Sequence, residues 1–281
     1  MSDTTTVRPD AANTAGRPGA GPSAAAPGAA APLAAHVEYV LRLGDNALVL
    51  GQRLSEWCGH GPVIEEDIAL TNTALDLIGQ ARLLLTHAGR LEGRGRDEDA
   101  LAFLRAEPEY RNLTICELPN EDFGRTCLRN CLFAAFQMQL WQALANSSDG
   151  QLAAIAAKSI KETRYHLQHA ADWTVRLGDG TDESRARMQR ALDYLWPYTA
   201  EFFSPLAADE QAAAAGIGPA WPSLARAWEE SVMPVLEVAT LKVPAATAFL
   251  SRGKEGRHSE HMGHLLAEMQ YLQRAYPGGK W

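Results

Sequence analysis

The stretch whose reading decides the fold is Leu152–Leu177, LAAIAAKSIKETRYHLQHAADWTVRL. It contains no Gly or Pro; Asp149 stands before it as an N-cap, and Gly178-Asp179-Gly180 stops it. The prediction is one helix of about seven turns at roughly 3.6 residues each. With about 100° between successive residues, Leu152, Ile155, Ser159, Thr163, His166, Ala170 and Leu177 share one face. Glu162, His169 and Trp173 border that face. A carboxylate and two imidazoles along an apolar stripe suit two arrangements. One is a satisfied polar cluster, since buried polar groups are normally hydrogen-bonded. The other is a metal site of the di-iron bundles, where Glu and Glu-x-x-His project inward from facing helices.

Working outward, three more long helices are expected before this one. The first covers about Ala34 to Trp57, with a broad apolar arc from Val37 to Trp57 and a polar strip of Glu38, Asp45 and Gln52. Arg42 is four residues from Glu38 and three from Asp45, the spacing of a surface ion-pair ladder. The second covers about Glu65 to Arg90. Its acidic first turn suits the helix dipole. Its apolar residues point nearly all round, which predicts a central helix with Asn72 and Asp76 as buried polar positions. The third follows a cap at Asn120 and covers about Glu121 to Ala145. A short helix, Glu98 to Ala106, lies between the second and third.

After the quoted stretch, a helix from Thr181 should be kinked or split at Pro197 and continue to Phe203. Pro205 to Pro222 reads as a connection with an Ala-rich helical turn. A helix over Ser223–Leu241 should be interrupted near Pro234, and a last one covers Ser259–Tyr276. No convincing strand is present. The expected fold is all-α: a ferritin-like bundle of four long helices with additional C-terminal helices. Residues 1–32, rich in Ala, Gly and Pro, read as a disordered low-complexity arm, and residues 33–281 as a single domain.

Composition narrows the function classes. The formal net charge of −8 over 281 residues argues against nucleic acid and against an anionic membrane surface as partners. No run is long and apolar enough to span a membrane. Cys58, Cys116, Cys127 and Cys131 form no C-x-x-C; Cys127 and Cys131, one turn apart, read as buried thiols in a reducing, cytoplasmic setting.

A di-iron bundle needs Glu, Glu-x-x-His, Glu and Glu-x-x-His in chain order, because i, i+3 spacing aims both side chains at one metal pair. The nearest positions here are Asp45, Asp76-Leu77-Ile78-Gly79, then Ala134 and Gln137, then Glu162-Thr163-Arg164-Tyr165. Gly79 and Tyr165 stand where His is required, the third helix offers no carboxylate, and His166 is one residue out of register. We therefore expect no catalytic residue, no bound cofactor and no metal in this chain; Asp45, Asp76, Glu162, Tyr165 and His166 form a degenerate set of inner polar positions. Arg257 to His264, with Glu260, His261 and His264, is not H-E-x-x-H and reads as capping and hydrogen bonding at a helix start. No G-x-G-x-x-G after a strand, Walker sequence or serine elbow occurs.

Five segments carry a family resemblance: LRLGDN at 41–46, EWCGH at 56–60, LDLIGQAR at 75–82, IKETRYHL at 160–167 and EHMGHLLAEMQYL at 260–272. In that order they resemble the C subunits of phenylacetyl-CoA epoxidase, over about Ala34 to Trp281. The resemblance implies a ferritin-like structural subunit in a multicomponent oxygenase of aerobic phenylacetate breakdown. It implies as partners a related A subunit holding the di-iron centre, and a reductase passing electrons from NADPH through flavin and iron–sulfur groups. Phenylacetyl-CoA is then the substrate of the complex. Two other classes stay open on residues alone: a di-iron oxygenase with unusual ligands including His166 and His169, and a stand-alone helical scaffold.

Overall fold

The computed structural model of the chain describes residues 27–279. Among them are nine α-helices: α1 Pro27–Ser55, α2 Ile64–Glu92, α3 Glu98–Phe103, α4 Phe123–Leu144, α5 Gly150–Gly178, α6 Asp182–Leu195, α7 Ala207–Ala214, α8 Ala225–Val238 and α9 Glu260–Ala275. An isolated bridge, Arg252 to Arg257, is the sole β pairing among the described residues. Helix α1 starts ahead of the expected Ala34, at Pro27; the rest of the expected arm lies outside the described residues.

Helices α1 and α2 pack against each other along their length, as do α4 and α5, and α2 meets α5 along a narrower seam. The connection from α2 to α4 climbs the bundle. Its far end is tied by Asn120 Nδ2, which donates to Arg53 O near the end of α1 at 2.6 Å. Because that crossover returns the chain to the top, α2 and α4 run the same way and α5 runs against α2. Two helical hairpins joined by a long crossover make the bundle ferritin-like, as expected.

The helix predicted from Leu152 to Leu177 is α5. The Asp149 side chain caps it, accepting from Gln151 N and Leu152 N. Leu152, Ile155, Ser159, Thr163, His166 and Ala170 are all buried on the predicted face, with Thr174 in place of Leu177.

The central helix is α4, not α2. Every residue from Thr126 to Met138 is buried. Its bundle side faces α5, and its outer side is roofed by aromatic residues: Phe202 stacks on Phe136 with centroids 4.8 Å apart, and Trp228 Nε1 donates to Leu132 O at 2.9 Å. Helix α2 instead exposes Ile64, Ile68 and Leu75, and Asn72 faces solvent. All-round apolarity does not reveal which neighbours are present, and the roof over α4 comes from chain far downstream.

Three local expectations change. The N-cap of α4 is Asp122, which accepts from Arg125 N at 2.7 Å, because Asn120 is already engaged by Arg53 and Arg129. Helix α8 passes through Pro234 unbroken. That proline lies on the exposed side, where water can take up the carbonyl its missing N–H leaves free. Third, the segment between α3 and α4 is core rather than surface loop: Tyr110, Leu113, Ile115, Cys116 and Leu118 are buried. As expected, Pro197 ends α6 and opens a 3-10 turn over Trp196–Phe203.

Two buried carboxylates staple the C-terminal region to that segment. Glu117 accepts from Asn112 Nδ2 at 2.9 Å, from His258 Nδ1 at 2.7 Å and from Ser259 N. Glu201 accepts from Thr114 N at 2.9 Å, Ser251 Oγ at 2.8 Å and Lys254 N at 3.0 Å.

Candidate functional site

The polar residues on α2 and α5 meet in register along the seam. Glu66 Oε2 is 2.8 Å from His169 Nε2, Asp76 Oδ2 is 3.0 Å from His166 Nε2, and Gln80 Nε2 donates to Glu162 Oε2 at 2.9 Å. At the lower end His87 Nε2 is 2.6 Å from Asp149 Oδ2. The α5 partners fall in number as the α2 residues rise, as antiparallel helices require. Asp76, Gln80 and His87 recur at helical spacing on one face of α2, which is why a single face can supply every partner.

The seam is half-buried. His166 and Gln80 are buried, Asp76 and Glu162 intermediate. Both carboxylates face a neighbouring helix, but Asp76, expected to be buried, keeps a 39% exposed side chain at the edge of the seam; Glu162 finds its donor on α2. Lys158, one turn earlier, adds an exposed contact to Glu162 at 3.3 Å.

Two members of the predicted set do not join the others. Tyr165 is 51% exposed, its ring stacked on His169 rather than turned inward. Asp45 is fully buried but belongs to another cluster: Arg105 pairs with both of its oxygens, and Arg111 N donates to it at 2.8 Å. Arg42, read as part of a surface ladder, is likewise fully buried, paired with Asp209 of α7 and with Glu38. The ladder is covered because α7 and the 105–111 segment fold over it. Sequence reasoning missed Glu66, Gln80, His36 and His87; the spacing of Asp76, Gln80 and His87 was the available signal.

The residues lining the bundle do not fit a di-iron centre. Each seam carboxylate already has its own donor. The facing part of α4 presents Asn130, Ala134 and Gln137, none of them anionic. Buried oxygens of Thr163, Gln80 and Asn130 lack protein partners, and these neutral groups would be poor substitutes for bridging carboxylates. The three buried cysteines offer no nucleophile either. Cys116, Cys127 and Cys131 are buried and free; burial pushes the Cys131 thiol up to about 12 despite a hydrogen bond with Thr174. Such thiols stay protonated and unreactive.

In the His258–His264 segment, Ser259 caps α9 and His258 is held by Glu117, while His264 is exposed. No helix among the described residues is long and apolar enough to cross a membrane.

Comparison with known proteins bears on this set of residues. Residues 23–281 match the family described as phenylacetic acid catabolic protein. Over 243 residues the chain is 50% identical to the C subunit of the 1,2-phenylacetyl-CoA epoxidase of Escherichia coli (strain K12), covering 86% of this chain and 98% of that protein. An all-α ferritin-like bundle, an in-register polar seam and a match across nearly the whole chain lead to one assignment: the chain belongs to the phenylacetic acid catabolic protein family.

Proposed function

We propose that this chain is the structural, non-catalytic C subunit of a phenylacetyl-CoA epoxidase complex in phenylacetate catabolism. It pairs with a ferritin-like A subunit that holds the di-iron centre. Electrons reach that centre from NADPH through a reductase carrying flavin and iron–sulfur groups. The complex works in the cytoplasm, and residues 33–281 act as one domain outside the N-terminal arm.

One observation carries the reading: Glu66, Asp76 and Glu162 are each committed to a single partner across the seam, opposite an α4 without carboxylates. Close relationship to an epoxidase C subunit supports this pathway and substrate class. In this role the chain's own residues hold a shape. The seam pairs keep α2 and α5 in register, and the exposed apolar residues of α2 remain available to a partner chain.

The test is to produce the chain alone and together with its A partner. Iron and turnover of phenylacetyl-CoA are then measured with reductase and NADPH. We expect turnover from the pair only. Two irons per chain with turnover from this chain alone would overturn the structural role and favour a di-iron enzyme using His166 and His169.

A further inference from the structure

Three side chains meet at the lower end of the bundle: His36 early in α1, His87 late in α2 and Asp149 at the cap of α5. Asp149 Oδ2 lies 2.8 Å from His36 Nε2 and 2.6 Å from His87 Nε2. One ligand atom from each of the three lies within 4.8 Å of the others, and no second such group of His, Cys, Asp or Glu occurs among the described residues.

The arrangement exceeds what a helix cap needs. Asp149 caps α5 with its other oxygen, Oδ1, which accepts from Gln151 N at 3.0 Å and Leu152 N at 3.1 Å. Its own N–H is held by Ser147 Oγ at 3.0 Å. The carboxylate is thus fixed from behind, with Oδ2 presented to two imidazoles. Those rings stand edge to face, 6.2 Å between centroids and 78° between planes, so the nitrogens converge without stacking. The side chains are shielded but reachable, 17%, 10% and 8% exposed for His36, His87 and Asp149.

We propose that His36 Nε2, His87 Nε2 and Asp149 Oδ2 bind one late first-row divalent cation of the zinc class, clipping α1, α2 and α5 together at one end of the bundle. Two imidazoles and one carboxylate suit zinc and its neighbours, whereas magnesium and calcium take oxygen ligands. Zinc bonds of roughly 2.0–2.2 Å place tetrahedral ligands about 3.3 Å apart, so the present contacts need to open by about half an ångström. Both imidazoles bind as neutral rings with the proton on Nδ1, and water fills the remaining position. The site involves none of Glu66, Asp76 or Glu162 and is independent of the subunit role proposed above.

The experiment uses the full chain stripped of metal. Zn²⁺ is titrated by calorimetry and by competition with a chromophoric chelator, and Co²⁺ serves as the optical probe. We expect one Zn²⁺ per chain, a raised melting temperature, and cobalt bands of a nitrogen–oxygen site without a thiolate charge-transfer band. His36→Gln and His87→Gln should each weaken binding by more than the roughly 10–100-fold that outer-shell losses alone produce. Asp149→Asn, which keeps the cap, should weaken it similarly. Equal affinity in the wild type and the folded His36→Gln/His87→Gln variant, a thiolate band, or no binding at all would overturn the site. The cobalt spectrum of the unaltered chain decides the matter even if a variant does not fold.

Discussion

Gln80 donates from α2 to Glu162 on α5 at 2.9 Å, a seam contact made without a histidine and with the Gln80 side chain fully buried. Glu162→Ala would leave the Gln80 amide, already lacking a partner for its oxygen, without one for its nitrogen. The expected loss is about 1–3 kcal/mol of folding stability, read as a lower urea midpoint. Iron per catalytic chain in a reconstituted complex should stay unchanged. A fall in that iron with no change in midpoint would mean that Glu162 serves the metal and not the fold.

The Asp45–Arg105 pair predicts a larger effect. Both side chains are almost completely buried, and Asp45 also takes the Arg111 N–H. Asp45→Ala strands a buried guanidinium, which costs about 3–5 kcal/mol in comparable cases. Chemical denaturation of the purified variant measures it, and a loss below about 1 kcal/mol, the range of exposed pairs, would contradict the burial.

Gly178 ends α5 against the end of α8. A Cβ there would run into Ala239, touching its carbonyl oxygen and coming within 2.7 Å of its Cβ. Gly178→Ala should therefore destabilise by about 1–3 kcal/mol through overpacking, whereas Gly79→Ala, with open space around it, should not. Melting temperatures of the two variants provide the comparison.

His258 makes stability depend on pH. Burial opposes its charged form, but the hydrogen bond and charge of Glu117 outweigh it and lift the imidazole above its ordinary 6.5. A raised histidine contributes fully below the unfolded value and loses that contribution as pH rises through the folded one. Urea midpoints should therefore fall from about pH 6.5 upward, and His258→Gln should flatten that limb. An unchanged slope in the variant would assign the pH dependence to another group.

Much of this was legible in the sequence because it is local. The face of α5 follows from helical geometry, and so does the place of Glu162 beside that face. A half-buried Glu162 needs a donor, and the facing helix provides Gln80. What was not legible depends on chain remote in sequence. Arg42 and Asp45 look like a solvated ladder until α7 and Arg105 cover them. The mid-chain run around Tyr110 to Leu118 has no helical period, so nothing local marks it as core. Tyr165 fits an inward position by spacing, but its ring turns out onto His169. His36, His87 and Asp149 are separated by long stretches of chain, and only the antiparallel path of α2 and α5 brings them together.

Glu117 and Glu201 have one more consequence, in the order of synthesis. The donors from Ser251 and Lys254 lie 50 and 53 residues beyond Glu201, and those from His258 and Ser259 lie 141 and 142 residues beyond Glu117, so they are made long after the carboxylates they serve. At roughly 5–20 residues per second, the nascent chain carries both carboxylates only partly satisfied for several seconds. The emerging tail therefore acts as a latch that the nascent bundle must wait for. A chain truncated before Ser251 would contain α1 to α8 but leave the mid-chain core unlocked.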